Sequence, residues 1–331
     1  MSEIPKTYNN QRIEFLDALK GFTIFCVTWG HALQFLRNGY DYFHNPAFEF
    51  IYSFHMALFF MVSGFFFRSS LRLNLKDFLY KRSVQLLLPC VVWSVIYCII
   101  NQHEELKTIF SLNNFWFLRE LFISYFIVYV SLKLLKKDWL ACLLSIGFVL
   151  IVPLSGAQKS FFPMFWAGIY LKNNYQYISK YAKQIRIISG IIFAVCLLFW
   201  DGNYTMYVTY FPKIIQIKPF DLNFTNIDIA LFRLLIGLCG SLFWFMLFEK
   251  IYKNNKFFGY LGKIGANTLA IYVLQPLIWD NGIVSFPTMN NWIYTLIVTP
   301  LISLGVLGVS MIIIKIVRKN KHAELLLFGK K

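Results

Sequence analysis

The 331 residues are 58% hydrophobic and 15% charged, with 36 Phe and 19 Tyr. A soluble domain carries about 25% charged residues, so this composition excludes a soluble domain with one anchor and indicates an integral membrane protein with many spans. The net charge of +16 does not point to nucleic acid: Lys and Arg cluster in short connections between apolar segments, the pattern of membrane topology and of contact with anionic lipid.

The first fifteen residues are polar and lack a short apolar region ending in a small-residue cleavage site. No removable signal peptide is expected, and the first span serves as the insertion signal. Apolar segments follow at Leu16–Leu36, Phe48–Phe67, Val84–Ile100, Leu118–Leu132, Trp139–Val152, Phe161–Leu171, Ile187–Trp200, Ile229–Phe248, Thr268–Trp279 and Ile293–Ile314. Lipid admits only helices or closed barrels, and these runs lack barrel alternation. The predicted fold is all-α, about ten transmembrane helices in one bundle. The fifth, sixth and ninth segments are short for a crossing.

Lys and Arg alternate sharply between the connections. The N-terminus through Lys20, the even-numbered connections and the tail from Lys315 hold 25 of them; the odd-numbered connections hold 5. This asymmetry places both termini in the cytoplasm. The longest connection, Asp201–Ile227, is too short for an independent domain. The chain reads as one transmembrane domain over 1–331, with a polar tail 1–11 and a basic tail 315–331. The six cysteines all lie in apolar runs without a CxxC pair, so neither a structural disulfide nor a metal is expected.

Ionisable groups inside apolar spans mark candidate function. Lys20 and His31 are eleven residues apart in the first span. That spacing puts both on one helix face, roughly 16 Å apart along the axis. Lys20 marks the cytoplasmic end and His31 the outward half. His31 is either a general base or a histidine hydrogen-bonded to a neighbouring helix. His55, in the outward half of the second span, is placed to approach it. Asp17 returns to the same face but lies at the cytoplasmic mouth, where it either pairs with Lys20 or acts on the donor. Ser63 and Gly64 suit close helix packing. Arg119 and Glu120 open the fourth span and Arg233 lies early in the eighth; the arginines either pair locally or line an acceptor pocket. Arg68, Arg72, Lys76, Lys81 and Arg82 form a dense cytoplasmic cluster, read as topology and lipid contact or as a landing site for a phosphorylated donor. No nucleotide-binding glycine loop, zinc-protease helix or Gly-x-Ser-x-Gly elbow is present.

Taken together, Arg12-x4-Asp17-x2-Lys20-Gly21 with His31 beyond it resembles the membrane-bound acyltransferase 3 family, its fucose-4-O-acetylase-like branch above all. His55–Met56 with Ser63–Gly64, Lys81–Arg82 leading to Leu86–Leu87–Leu88–Pro89, Trp116–Phe117–Leu118, and Leu261–Gly262–Lys263–Ile264–Gly265–Ala266–Asn267–Thr268 leading to Ile271–Tyr272 agree. The resemblance runs from about Arg12 to Ile314. It implies transfer of an acyl group, usually acetyl from acetyl-CoA, to a hydroxyl of a surface glycan or glycolipid, in the plasma (bacterial inner) membrane. It makes His31 catalytic and places the basic residue Lys20 in the same motif. Many members carry histidine where this chain has Gln275.

The expected site therefore comprises His31, Asp17 and His55 as catalytic residues and Lys20, Arg68, Arg72, Lys81 and Arg82 for the acyl-CoA phosphates. Arg119, Glu120, Arg233 and Gln275 are the acceptor-facing residues. Arg119 is the candidate oxyanion donor. Direct transfer and a covalent acyl-histidine route both fit. The competing classes are a transporter or flippase for a lipid-linked glycan, which calls for broken helices in corresponding halves, and a non-catalytic membrane subunit.

Overall fold

The computed structural model describes residues 14–37, 40–101, 113–211, 215–217, 220–222, 224–281 and 290–330. The N-terminal tail and Arg12 lie outside them. Each of the ten apolar segments is helical over most of its length, as a lipid environment requires of a backbone with no water to bond. Their number as crossings is a separate matter. Five helices are long and apolar enough to span a bilayer: Pro46–Arg72, Leu75–Ile100, Tyr175–Leu198, Ile227–Ile251 and Asn291–Val317. A sixth arises if Lys256–Gly265 and Thr268–Asp280, bent by 71° at their junction, act as one span. The helix at Asp138–Ile151 is apolar but short. Beside the helices, Ile215–Ile217 pairs antiparallel with Phe220–Leu222 in a small ribbon.

Burial orders the bundle. α1 (Glu14–Phe35) and α2 (Pro46–Phe65) form its centre: Leu16, Leu19, Leu33, Ile51 and Phe60 are fully enclosed. The span containing α2 is 78% buried, against 17% for Tyr175–Leu198, which therefore faces lipid. A helix apolar on all sides belongs inside, and α2 is one. It starts cleanly, because the Asn45 side chain accepts from the backbone N–H groups of Ala47 and Phe48 and Pro46 occupies the first turn.

Two helix crossings hold the centre rigid, and both depend on missing side chains. α2 meets the helix Gly156–Asn173 so closely that a Cβ on Gly64 would sit 1.9 Å from the Phe165 carbonyl oxygen, and one on Gly168 would sit 1.9 Å from that of Met61. α1 meets the helix Lys256–Gly265 in the same way, through Gly21 against Leu261 and Gly265 against Asp17. Small residues let backbones approach where hydrophobic expulsion cannot drive helices together. The bend after Gly265 is tied off by Asn267, whose Nδ2 donates to the Lys263 carbonyl while its Oδ1 accepts from Arg318.

Candidate active site

The central helices enclose a cavity of about 190 Å³. α1 contributes Lys20, Ile24, Val27 and His31, at the i, i+4, i+7 and i+11 positions of one face. α2 contributes Tyr52, His55, Met56, Phe59 and Ser63. Trp116, Phe117 and Tyr272 close one side, and Tyr207 reaches in from the 201–211 loop. The expected Lys20–His31 face thus lines a single void, with His55 in the same wall. Ser63 faces the void while Gly64, its neighbour, serves packing.

The hydrogen bonds around His31 favour one tautomer of the neutral ring. Thr28 spends its hydroxyl proton on the Ile24 carbonyl at 2.9 Å, so its oxygen accepts from Gln275 Nε2 at 2.7 Å. That turns Gln275 Oε1 to His31 Nδ1, 2.6 Å away. An amide oxygen only accepts, so Nδ1 carries the proton of the neutral ring and Nε2 keeps the lone pair. His55 repeats the arrangement: its Nδ1 donates to the Ile51 carbonyl at 2.7 Å, which leaves its Nε2 as acceptor. Two imidazoles with their δ nitrogens tied back into protein share one cavity, the arrangement expected of groups kept for accepting protons.

The remaining candidates divide by place. Lys20 pairs with Asp17 at 2.6 Å; Lys20 lines the cavity and Asp17 stands behind it. Gln275 is fully buried behind His31 and does not line the cavity. Arg119 forms an ion pair with Glu120 at 2.8 Å, and Glu120 is 1% exposed, so the local-pairing alternative describes them. Gln158, with its amide nitrogen turned to Glu120, donates to Oε2 at 3.0 Å. Arg233 is likewise buried away from the cavity, bonding the carbonyls of Tyr204 and Thr209 and the Ser160 hydroxyl. In the basic cluster, Arg68 bonds Asp138 and Asn173, and Arg82 bonds Ser70 and Gln85 with its guanidinium 3.8 Å from the Tyr125 ring centroid. Arg72, Lys76 and Lys81 are exposed.

Sequence reasoning missed the aromatic hydroxyl groups of the cavity: Tyr52, Tyr207 and Tyr272. Tyr272 stands in a motif that carries the family resemblance, and position alone could have raised it. Tyr207 sits in an irregular loop and leaves no periodic trace.

A helical bundle whose long apolar helices surround a cavity lined by two histidines and a lysine has the build of a multi-pass membrane protein. The chain belongs to the acyltransferase 3 family (acyltransferase domain), whose model matches residues 13–315. Among curated proteins it is similar to nodulation protein NolL of Sinorhizobium fredii (strain NBRC 101917 / NGR234), 29% identical over 230 residues, which cover 60% of this chain and 60% of that protein. It is also similar to nodulation protein NolL of Mesorhizobium japonicum (strain LMG 29417 / CECT 9101 / MAFF 303099), 33% identical over 140 residues, covering 38% of this chain and 37% of that protein. The chain thus spans 60% or less of the length of these relatives. No solved structure matches it.

Proposed function

We propose that this membrane acyltransferase moves an acyl group, acetyl by preference, from cytoplasmic acyl-CoA to a hydroxyl of a surface glycan or glycolipid, and that it works in the plasma (bacterial inner) membrane. The observation that carries the reading is the His31 tautomer: a histidine in the cavity wall whose Nδ1 is bound by Gln275 and whose Nε2 is left basic.

In direct transfer, His31 Nε2 takes the proton of the acceptor hydroxyl as its oxygen attacks the thioester carbonyl carbon. A C–O bond forms, the C–S bond breaks, and the proton passes from His31 to the departing thiolate. His55, in the same wall, is a second polar partner for the hydroxyl. The developing oxyanion needs a donor. Arg119 is engaged by Glu120, whereas Tyr272 accepts from the Phe117 N–H at 3.4 Å and keeps its own proton to give. Tyr272 is therefore the better candidate for that role. Lys20 and the exposed Arg72 and Lys81 suit the CoA phosphates, with Arg68 and Arg82 behind them. The narrow pantetheine arm then spans the roughly 16 Å of helix rise between Lys20 and His31. The Asp17–Lys20 pair sets the position of the ammonium at that mouth.

The transporter alternative calls for broken helices in corresponding halves. Among the described residues one pair is bent.

The test is thiol release from acetyl-CoA by the detergent-purified chain with a panel of sugar acceptors, together with mass spectrometry of surface glycans from cells carrying the gene intact, deleted or as His31→Ala. Acceptor-dependent thiol release should fall about 10²- to 10⁴-fold in His31→Ala, and glycan acetylation should vanish in both altered strains. Equal activity of His31→Ala and the wild type would overturn the base assignment. Acetyl content unchanged across all three strains, with no thiol release in vitro, would overturn acyl transfer.

A further inference from the structure

We infer that Tyr207, Trp116 and Tyr52 form a ring-binding subsite at the His31 end of the cavity, and that its ligand is a pyranose ring of the acceptor. The identification of that ligand as an acceptor rests on the acyl-transfer reading above; the existence of the subsite does not.

Three aromatic residues meet there in a chain that ends on a histidine. The Tyr52 ring lies 4.8 Å from His55 at 72° and 6.0 Å from Tyr207 at 67°. The Trp116 indole N–H lies within hydrogen-bonding reach of the Tyr207 hydroxyl. All four side chains line the same cavity. Tyr207 is nevertheless 46% exposed, so it forms a lip: one part of the ring faces the void and the rest stays open. Aromatic faces offer a flat apolar surface beside a polar handle. A pyranose offers the matching pair, an apolar face of C–H bonds rimmed by hydroxyl groups. An open-chain polyol has the hydroxyl groups without the rigid face.

The lip is built to hold still. Gly202 packs so tightly that a Cβ there would lie 1.8 Å from the Phe43 carbonyl oxygen. Thr209 ties the loop to itself through the Asn203 carbonyl at 2.7 Å. Arg233 then grips the loop on both sides of Tyr207. Its Nε donates to the Tyr204 carbonyl at 2.9 Å and its Nη2 to the Thr209 carbonyl at 2.8 Å, while Nη1 is held by Ser160. A guanidinium 7% exposed in an apolar bundle is costly, and here two of its three nitrogens are turned on one six-residue stretch of backbone. Arg233 is thus a positioning residue that acts through Tyr207, not a group that touches the acceptor.

The experiment is saturation-transfer NMR of methyl pyranosides and of sorbitol with the detergent-purified full chain. Methyl pyranosides should show transfer to their ring protons in the wild type, and sorbitol should show none. Tyr207→Phe, which keeps the face, should bind within about threefold of wild type. Tyr207→Ala and Trp116→Ala should weaken binding about tenfold or more, at unchanged thermal melting. Arg233→Gln should raise the acceptor KM while moving kcat far less, a split that general unfolding would not produce. Unaltered pyranoside binding in both alanine variants, sorbitol binding as well as the rings, or no pyranoside binding at all would each overturn the subsite. Tyr207-dependent pyranoside binding without any thiol release from acyl-CoA would leave the subsite standing and overturn acyl transfer instead.

Discussion

At the scale of single residues, Gln275 carries the clearest consequence. It stands where the family resemblance leads one to expect histidine, and it holds both Thr28 and His31. Gln275→Leu removes the acceptor of the His31 Nδ1–H and leaves that group and the Thr28 oxygen buried without partners, at a cost of about 1–3 kcal/mol. With Nδ1 no longer tied, the ring loses its fixed tautomer and orientation. The expected result is a fall in kcat of about 10- to 100-fold, the range found when the partner that orients a functional histidine is removed, with the KM for acyl-CoA unchanged. Gln275→Glu keeps an acceptor for Nδ1–H and should retain more activity than Gln275→Leu. Steady-state kinetics of the two variants decides it, and equal loss in both would rule out the orienting role. The expectation that Gln275 faces the acceptor rests on its place in a motif, whereas its side chain points away from the void because Thr28 lies one helical turn before His31 and competes for the amide. Sequence spacing shows which residues share a helix face. It does not show which partner across an interface claims a side chain, and Arg119, Glu120 and Arg233 are obscure in sequence for the same reason.

At the scale of elements, the glycine crossings and the outer loops set the shape of the chamber. Gly64→Ala inserts a methyl where 1.9 Å separates its position from the Phe165 carbonyl oxygen, so α2 must move off its neighbour. A loss of about 1–3 kcal/mol is expected, as for overpacked cores, with a lowered melting temperature in detergent; Gly147→Ala, which meets open space, should leave it unchanged. The loop before α2 has its own titratable latch. His44 lies 2.6 Å from Asp41 and 4.0 Å from Asp201, with Asn203 on its other nitrogen and Glu49 nearby. The Asp41 carboxylate, by hydrogen bond and charge, raises the His44 pKa above its ordinary 6.5. A raised histidine binds more protons folded than unfolded, so its contribution is complete below pH 6.5 and is lost as pH rises through the higher folded value. Melting measured across neutral pH should therefore show a small stability loss on the alkaline side that is absent in His44→Asn. An identical pH profile for the variant would remove the latch. The placement of the long apolar helices is legible in the apolar runs because lipid leaves a spanning backbone no other choice. The 201–211 loop is not, since its order comes from Arg233 and from the close approach of Gly202 to Phe43, contacts remote in sequence.

At the scale of the molecule, the arrangement that matters is a chamber with chemically distinct ends: a cation paired with a carboxylate at Lys20, and aromatic hydroxyl groups with histidines at the other. Among the described residues five helices, or six with the bent pair, have the length and composition of a membrane span; the Lys and Arg asymmetry predicts the side on which each end opens. On the ten-crossing reading, a cytoplasmic Lys20 puts the Arg68–Arg82 segment on the same side and the His44 loop and the 201–211 loop outside. The six native cysteines are free, five of them buried and Cys142 half-buried, so replacement of Cys142 and a check for residual labelling give a quiet background. Single cysteines at Lys76, which is exposed in the basic segment, and at Asp41, which is exposed in the outer loop, then report the two faces. A membrane-impermeant maleimide applied to intact spheroplasts should label the Asp41→Cys chain at once and the Lys76→Cys chain only after lysis. The reverse pattern would turn the chamber over and place His31 at the cytoplasmic end, where donor and acceptor would have to exchange mouths. Labelling of both positions before lysis would mean an even number of crossings between them, and α2 would then be a hairpin within the membrane rather than the central span of the bundle.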